Sequence, residues 1–397
     1  MNSSTQKPLV AIACGGTGGH LFPGLAVAGE LQRRGCAVAL LISPKDVDQQ
    51  AVKTATGVEI FTLPAVGLQD RNYFSFAVSF WSSFRAAQKI FRQRPPAAVL
   101  AMGGFTSAPP VLAARKFQAK TFLHESNTIP GKANRFLARF VAAAFVGFPE
   151  AAARLKTKKT SVTGTPVRPQ FSPASSIQHP ASSCRKALGL NPELPTVLVV
   201  GGSQGARGLN DLVLSALPLL AEKNWQWLHL TGANDFEKVQ SAYAKLGLKA
   251  VVKPFLAEMD LALGAATACV SRAGASSLAE IAAMRLPSAL VPLPTAADNH
   301  QYFNAVAFEK TGAARLLEQK NSPPEKVAAA ISELVESEAT RSQIQSALAQ
   351  WHAPNAAAQI AENILAACWS SSFSLPAQNR LKPELQQSGG KNCSHSA

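Results

Sequence analysis

Two short segments of the chain carry more glycine than a change of direction requires. Gly15-Gly16-Thr17-Gly18-Gly19-His20 and Gly201-Gly202-Ser203-Gln204-Gly205-Ala206 each follow an apolar run and precede a helix-forming stretch. Glycine there lets backbone N–H groups close on an anion, and the start of the following helix adds the positive end of its dipole. Two such turns predict two phosphate-bearing ligands. The dinucleotide fingerprint fails, because counting from Gly16 places Leu21 where its third glycine belongs, and no G-x-x-x-x-G-K-S/T occurs. Nicotinamide and flavin enzymes are thereby demoted and P-loop nucleotidases removed.

A second group of residues could do acid–base or nucleotide chemistry. Ser271-Arg272-Ala273-Gly274-Ala275-Ser276-Ser277-Leu278-Ala279-Glu280 ends a strand in Arg and Gly and opens a helix at the serines. By spacing alone Ser277 and Glu280 read as a capping box. The alternative puts Glu280 on a ribose diol, with Arg272 and the helix start on phosphate or base. His124-Glu125-Ser126-Asn127 stands at a strand end before Pro130-Gly131, on the face where α/β sheets bind ligands. His20 lies at another strand end, so His20 and His124 make a pair of general-base candidates. Asp46-Val47-Asp48 matches the bare D-x-D pattern by which some sugar transferases bind a metal, but nothing flanks it in support. It reads as a solvated loop, and no metal site is assigned. The six cysteines form no C-x-x-C and no Cys/His cluster and read as reduced thiols.

Positioning these residues calls for strands that end at the turns. Short β-rich runs at 9–13, 37–42, 98–102, 121–124 and 144–147, then at 196–200, 225–230, 250–252, 268–270, 288–291 and 314–317, alternate with helical stretches. That alternation predicts the α/β class, as two doubly wound parallel sheets related as a diverged repeat. A Pro- and Ser-rich connection beginning near Pro166 divides residues 1–167 from 168–354. A last helix is expected near 355–368, and residues 370–397 have a disordered composition.

With 397 residues, 47% hydrophobic and 16% charged, the composition is that of an ordinary globular protein of about two or three domains. Lys and Arg number 39 against 24 Asp and Glu, and the resulting +15 calls for an anionic partner. Eleven cations between Arg71 and Pro149 meet one acid, Glu125, so this stretch alone carries +10. Within it Phe80, Trp81 and Phe84 stand beside Arg85 and Lys89. That is the composition of an interfacial membrane element, or equally of a core helix with a basic end. No apolar run reaches the roughly 18 residues needed to span a bilayer, and no nucleic-acid-binding module accompanies the charge. The N-terminal LVAIAC is too short for a signal-peptide core and reads as the first strand of a cytosolic protein.

In chain order, GGTGGHLFPGLAVA, MGGFTSAPPVLAA, HESNTIPGKANRFLA, GTPVR, VVGGSQGARGLN, SRAGASSLAEIAA and DNHQYFNA resemble the MurG family of bacterial peptidoglycan N-acetylglucosaminyltransferases, in glycosyltransferase family 28. The resemblance implies a GT-B fold: two Rossmann-like domains face each other across a cleft, and the last helix packs back on the first. It also implies inverting transfer of GlcNAc from UDP-GlcNAc to the MurNAc C4 hydroxyl of undecaprenyl-diphospho-MurNAc-pentapeptide (lipid I), giving lipid II in peptidoglycan biosynthesis. Peripheral attachment to an anionic membrane surface, at the cytoplasmic face of the inner membrane, follows from the same likeness. So do roles in cell shape and division beside other cell-wall enzymes, with no nucleic acid and no metal or other cofactor. The rivals are a UDP-GlcNAc-using transferase, epimerase or hydrolase with another acceptor, and a non-catalytic sugar-nucleotide sensor.

By the same resemblance Arg168, Ser203, Arg272, Ser276, Ser277 and Glu280 serve the nucleotide and phosphates, with Glu280 on the ribose. Phe255 and Leu256 wall the uracil, and Asn127, His300 and Gln301 hold the sugar hydroxyls. Thr17, Gly18, Gly19 and His20 line the donor and the acceptor diphosphate, joined there by Gly15, Gly16, Gly103 and Gly104. His20 is the first choice of base and Glu125 the second, with His124 beside them. Phe105 stands where the family often has Tyr, and His300 replaces a Gln found in some members.

Overall fold

Strands such as Leu-Val-Ala-Ile-Ala at 9–13 are apolar at every position and buried at every position, as a parallel sheet covered on both faces demands. The computed structural model describes residues 7–16, 18–45, 48–49, 52, 55–65, 73–171, 180–202 and 205–369. Among these the first sheet comprises β1 (Leu9–Ala13), β2 (Ala37–Ile42), β3 (Glu59–Thr62), β4 (Ala98–Ala101), β5 (Lys120–Glu125), β6 (Ala143–Val146) and β7 (Thr160–Val162). Its order is β3-β2-β1-β4-β5-β6-β7. The second comprises β8 (Thr196–Val200), β9 (Gln226–Leu230), β10 (Ala250–Lys253), β11 (Ala268–Ser271), β12 (Ser288–Leu290) and β13 (Arg315–Leu316), in the order β10-β9-β8-β11-β12-β13. All the described pairings are parallel. The α/β class and the doubly wound architecture read from the sequence are what the chain adopts.

The strand order reverses between β1 and β4 in one sheet and between β8 and β11 in the other. Connections leave such a pair in opposite directions, so a crevice opens beyond the carboxyl ends of the two strands. Both glycine turns lie there. Gly15 and Gly16 follow β1, with Gly103 and Gly104 following β4 beside them, while Gly201 and Gly202 follow β8, with Arg272 and Gly274 following β11.

Six helices matter for the site: α1 (Gly18–Arg33), α2 (Tyr73–Gln93), α3 (Arg207–Ala216), α4 (Ala275–Met284), α5 (His300–Lys310) and α6 (Ala356–Trp369). Gly24 lets α1 lie directly on the sheet, since a Cβ there would stand 2.8 Å from Cys14 Cβ. α1 also packs against α4 of the second domain, which closes one end of the cleft. α6 returns to the first domain, burying Ile360, Ala361 and Ile364 among the residues under β1, β2 and β4, and Glu362 meets Arg34 at 2.8 Å. Phe148, although it follows β6, packs with Phe308 and Trp351 into the core of the second domain, so the cores interlock near the chain crossing.

Truncating α6's anchor tests that docking. Ile364→Ala should cost about 2–4 kcal/mol of unfolding free energy, by lost burial and the cavity left behind. A denaturant midpoint equal to the parent's would show that α6 contributes no core.

Candidate functional site

The crevice of the first domain is built around two glycine turns held together by backbone-directed hydrogen bonds. The Thr106 hydroxyl donates to the Gly15 carbonyl at 2.7 Å, tying the turn after β4 to the turn after β1. A Cβ at Gly15 would meet the Ser43 nitrogen at 2.3 Å, and Gly16 adopts a φ of +110° beside the Phe105 ring. The Gly16 N–H does not face an open anion site. It donates to Asp48 Oδ2 at 2.6 Å, and Ser43 donates to the same carboxylate. Asp48 is fully buried, so the solvated-loop reading of the D-x-D segment fails at this residue. Lys45 donates to the Gly16 carbonyl at 3.2 Å and lies over Phe105, supplying the turn with a cation the sequence analysis passed over. Thr17 and Asp46 lie outside the described residues.

His20 sits in the first turn of α1 with its ring against the Gly103–Gly104 turn, where Cβ atoms would come within 2.9 and 3.0 Å of it. Both glycines have positive φ, +103° and +77°, so the imidazole rests on bare backbone. Burial lowers its pKa below the ordinary value, with Glu125 pulling the other way and His300 of the second domain adding to the fall. Its Nδ1 is buried without a well-formed partner, and the Met102 backbone beside the ring also opposes the fall. The lowered pKa favours the neutral imidazole, the form able to take a proton.

His124 and Glu125 are differently placed. His124 is fully buried, with Nε2 on the Gly164 carbonyl at 3.1 Å and Nδ1 on the Ser126 hydroxyl at 3.3 Å, and burial lowers its pKa to about 4. Both ring nitrogens are spent on the scaffold, so His124 as placed has none free to accept a proton. Glu125 Oε1 accepts from the Asn127 backbone N–H at 2.9 Å and side-chain amide at 3.1 Å. Oε2 accepts from the Gly131 N–H and the Asn134 amide, each at 2.9 Å. Four donors on one buried carboxylate make Glu125 the frame of the 125–134 loop, not a free base.

In the second domain a cavity of about 460 Å³ opens at the β8–β11 crevice, lined by Gly201, Gly205, Ala206, Arg207, Arg272, Gln301, Gln319 and Lys320 among others. Arg272 is buried, donates to the Val291 and Pro292 carbonyls at 3.0 and 3.2 Å and to Gln319 at 2.8 Å, and keeps an unpartnered Nε–H. Burial lowers its pKa to about 10, which leaves it charged near neutrality. Ala206 and Gly274, the cap residues before α3 and α4, supply no side-chain cap, so the first N–H groups of these helices are open to an anion. Ser277 does not cap α4, and Glu280 stands in the second turn facing Arg168 at 3.7 Å; the capping-box reading is therefore corrected. Burial lifts the Glu280 carboxyl to about 7 against the pull of Arg168.

Arg168 stacks on Phe22 of α1 at 4.2 Å and on Phe171 at 4.9 Å, spanning the cleft. Gln301 accepts from the Leu293 N–H at 3.0 Å, and His300 contacts the Ala297 carbonyl at 2.8 Å after two left-handed residues, Asp298 and Asn299. Ser276 and Ser277 are half-buried in the first turn of α4. Phe255 is exposed and Leu256 buried just past β10. Of the expected donor residues, Arg272 and Gln301 share the cavity. Gly18, Gly19, His20, Asn127, Arg168, Phe255, Leu256, Ser276, Ser277, Glu280 and His300 lie outside its lining. Ser203 is outside the described residues. Sequence reasoning missed Arg207, which directly follows the glycine turn, and Gln319 and Lys320, which only the fold brings there.

The aromatic helix has two faces. Phe80, Phe84, Ala87 and Phe91 follow helical spacing into the core, so Phe80 and Phe84 are corrected from surface to half-buried positions. Phe74, Val78 and Trp81 lie on the opposite side, 81%, 52% and 53% exposed. Arg85 stacks over Trp81 and Lys116 over Phe84, with Lys89 exposed nearby. Among the described residues no helix is long and apolar enough to cross a membrane, and no three His, Cys, Asp or Glu side chains gather as metal ligands would.

Residues 10–146 match the glycosyltransferase family 28 N-terminal domain and residues 196–364 the glycosyltransferase family 28 C-terminal domain. The chain is 34% identical over 382 residues to the UDP-N-acetylglucosamine--N-acetylmuramyl-(pentapeptide) pyrophosphoryl-undecaprenol N-acetylglucosamine transferase of Anaeromyxobacter dehalogenans, covering 94% of this chain and 97% of the relative. It is 37% identical to the protein of that name in Gloeobacter violaceus, covering 78% and 84%. Among solved structures, Acinetobacter baumannii MurG superposes with a TM-score of 0.68 at 27% identity, covering 90% of this chain and 99% of that one.

The frame assigned to Glu125 is open to measurement. Glu125→Ala strands buried donors and should cost about 2–4 kcal/mol of stability, read from denaturant unfolding. Unchanged stability would release Glu125 for a chemical role instead.

Proposed function

The chain belongs to glycosyltransferase family 28, and from that membership we propose that it moves N-acetylglucosamine from UDP-N-acetylglucosamine to the MurNAc C4 hydroxyl of undecaprenyl-diphospho-MurNAc-pentapeptide. The anomeric carbon inverts and lipid II is the product. The observation that carries the reading is that the likeness runs through both domains and so takes in both crevices.

The chemistry needs a base, an in-line approach and a home for departing charge. Neutral His20, at the first crevice, takes the proton of the acceptor hydroxyl as its oxygen attacks the anomeric carbon. The bond from that carbon to the UDP oxygen breaks, and the diphosphate carries the electron pair away. Arg272, with its unpartnered Nε–H, and the uncapped starts of α3 and α4 receive that charge in the second crevice. These groups stand in place of a divalent cation in the proposal. Glu280 takes the ribose hydroxyls while Arg168 turns to phosphate, and Asn127 and Gln301 orient the sugar. Gly103, Gly104, Gly18 and Gly19 offer backbone to the acceptor diphosphate, Lys45 adding the charge that Asp48 removes at Gly16.

The exposed Phe74, Val78 and Trp81 face, ringed by Arg85, Lys89 and Lys116, fits the lipid of such an acceptor. It would seat the first domain peripherally on an anionic bilayer, at the cytoplasmic face of the inner membrane. Contact with other cell-wall enzymes belongs to the same reading.

Purified protein, labelled UDP-GlcNAc and a lipid I analogue in excess EDTA should give disaccharide product. Free sugar or epimer would support hydrolysis or epimerisation, binding without turnover a sensor, and dependence on added Mg²⁺ a metal-assisted route. His20→Gln should lower kcat by about 100-fold or more. Because burial lowers the His20 pKa, the parent's rate should fall only as pH drops below the ordinary histidine range, and the variant should lose that limb. A variant with the parent's profile would remove His20 as base.

Liposomes containing anionic lipid should bind the parent more tightly than a Phe74→Ser, Val78→Ser, Trp81→Ser triple variant, with the difference surviving salt that screens the cations. Equal binding would defeat the membrane reading of α2.

A further inference from the structure

Asn304, on α5 of the second domain, is fully buried between the two domains. Its Oδ1 accepts from the Thr128 backbone N–H and from the Thr128 hydroxyl, both at 3.0 Å. Its Nδ2 donates to the Asn127 side-chain oxygen at 3.0 Å and to the Ala273 carbonyl at 3.1 Å. All four hydrogen-bonding capacities of the carboxamide are met, and a flipped amide would set donor against donor and acceptor against acceptor. Three of those bonds reach the loop after β5 in the first domain. The fourth reaches the turn between Arg272 and the start of α4, at the second crevice. An asparagine so placed can complete its bonds only when the two domains stand in this one relation.

We propose that Asn304 is a positioning residue for group transfer: one buried carboxamide pins the Asn127–Thr128 loop to the Arg272–Ala273 turn, fixing the approach of acceptor to donor across the cleft. The proposal rests on the reading above, in which the two substrates occupy opposite crevices. A buried amide with both ends satisfied is direction-sensitive in a way apolar packing is not. A small error in the domain relation leaves groups unpaired at both crevices together, and misplacement of reacting groups by about 1 Å can cost on the order of 100-fold in rate. The neighbouring pair Arg135–Asp298 also crosses between the domains, but both partners are more than a third exposed, so solvent screens it.

The test is a split between rate and donor affinity. Asn304→Asp keeps the size and the acceptor toward Thr128 but turns a carboxylate on Asn127 and Ala273. It should lower kcat by about 10- to 100-fold while the UDP-GlcNAc dissociation constant, read by calorimetry, stays within about threefold. Thr128→Val, which leaves the second domain untouched, should lower kcat by about three- to tenfold at unchanged donor affinity, and it decides the matter if the aspartate variant folds poorly. Arg135→Gln should keep its rate within about twofold. The amide of Thr128 should be protected from hydrogen exchange in the parent and in Arg135→Gln and unprotected in Asn304→Ala, which removes its acceptor. Parental kcat in Thr128→Val, donor affinity falling in step with rate, or an unprotected parental Thr128 amide would each overturn the proposal. A parent that makes no disaccharide yet protects Thr128 would strike the proposed function and leave the bridge standing.

Discussion

One buried carboxylate organises the space between the two domains. Glu125 gathers Asn127, Gly131 and Asn134 onto its two oxygens, and Asn127 passes the connection to Asn304, which passes it to the Ala273 carbonyl. The Asn134 and Ala273 links are buried and the others partly so, and leaving a buried partner unpaired costs more than the bond itself returns. The path therefore behaves as a unit. It begins at the carboxyl end of β5 in one sheet and ends at the carboxyl end of β11 in the other, beside the two crevices that the strand order opens.

The crevices resemble each other in origin and differ in electrostatics. Both follow from reversal of strand order, and both place glycine where a side chain would collide with backbone. The first has a carboxylate, Asp48, under its turn and a lysine over it, so its field is nearly balanced at the glycine N–H and open toward His20. The second has Arg207, Arg272 and Lys320 around its cavity and no acid among the residues lining it. That asymmetry suits a proton acceptor on one side and a departing diphosphate on the other. An imidazole must stay neutral to accept a proton, and a diphosphate leaves most readily toward fixed positive charge.

Much of this was legible in the sequence because parallel strands announce themselves. β1, β2 and β8 are almost wholly apolar runs that stop just before glycine or serine, and their limits in the chain are those the run predicts. β3 and β7 were missed for a physical reason: edge strands bury little, and Glu59-Ile60-Phe61-Thr62 is mostly exposed, so it has no apolar run to read. The glycine turns, Arg272 and His20 were visible as residue types beside strand ends. The work of Glu125, Asp48 and Asn304 was not, because each depends on partners that only folding brings near. A carboxylate in a list of acids carries no sign that four N–H groups will converge on it.

The same dependence explains why Glu280 was read two ways. Ser277 and Glu280 have the spacing of a cap, but α4 starts at Ala275, three residues before a Ser277 cap would start it, because Gly274 in extended conformation already ends the preceding turn. Shifting the helix start moves Ser277 inside the first turn and swings Glu280 toward the interdomain face, where Arg168 reaches it from the chain crossing. Burial there raises its pKa to about 7, and Arg168, stacked on Phe22, is the cation that opposes the rise. Arg168 thus stands between an aromatic ring of the first domain and a buried carboxyl of the second, a charge contact that no spacing of residues in the chain announces.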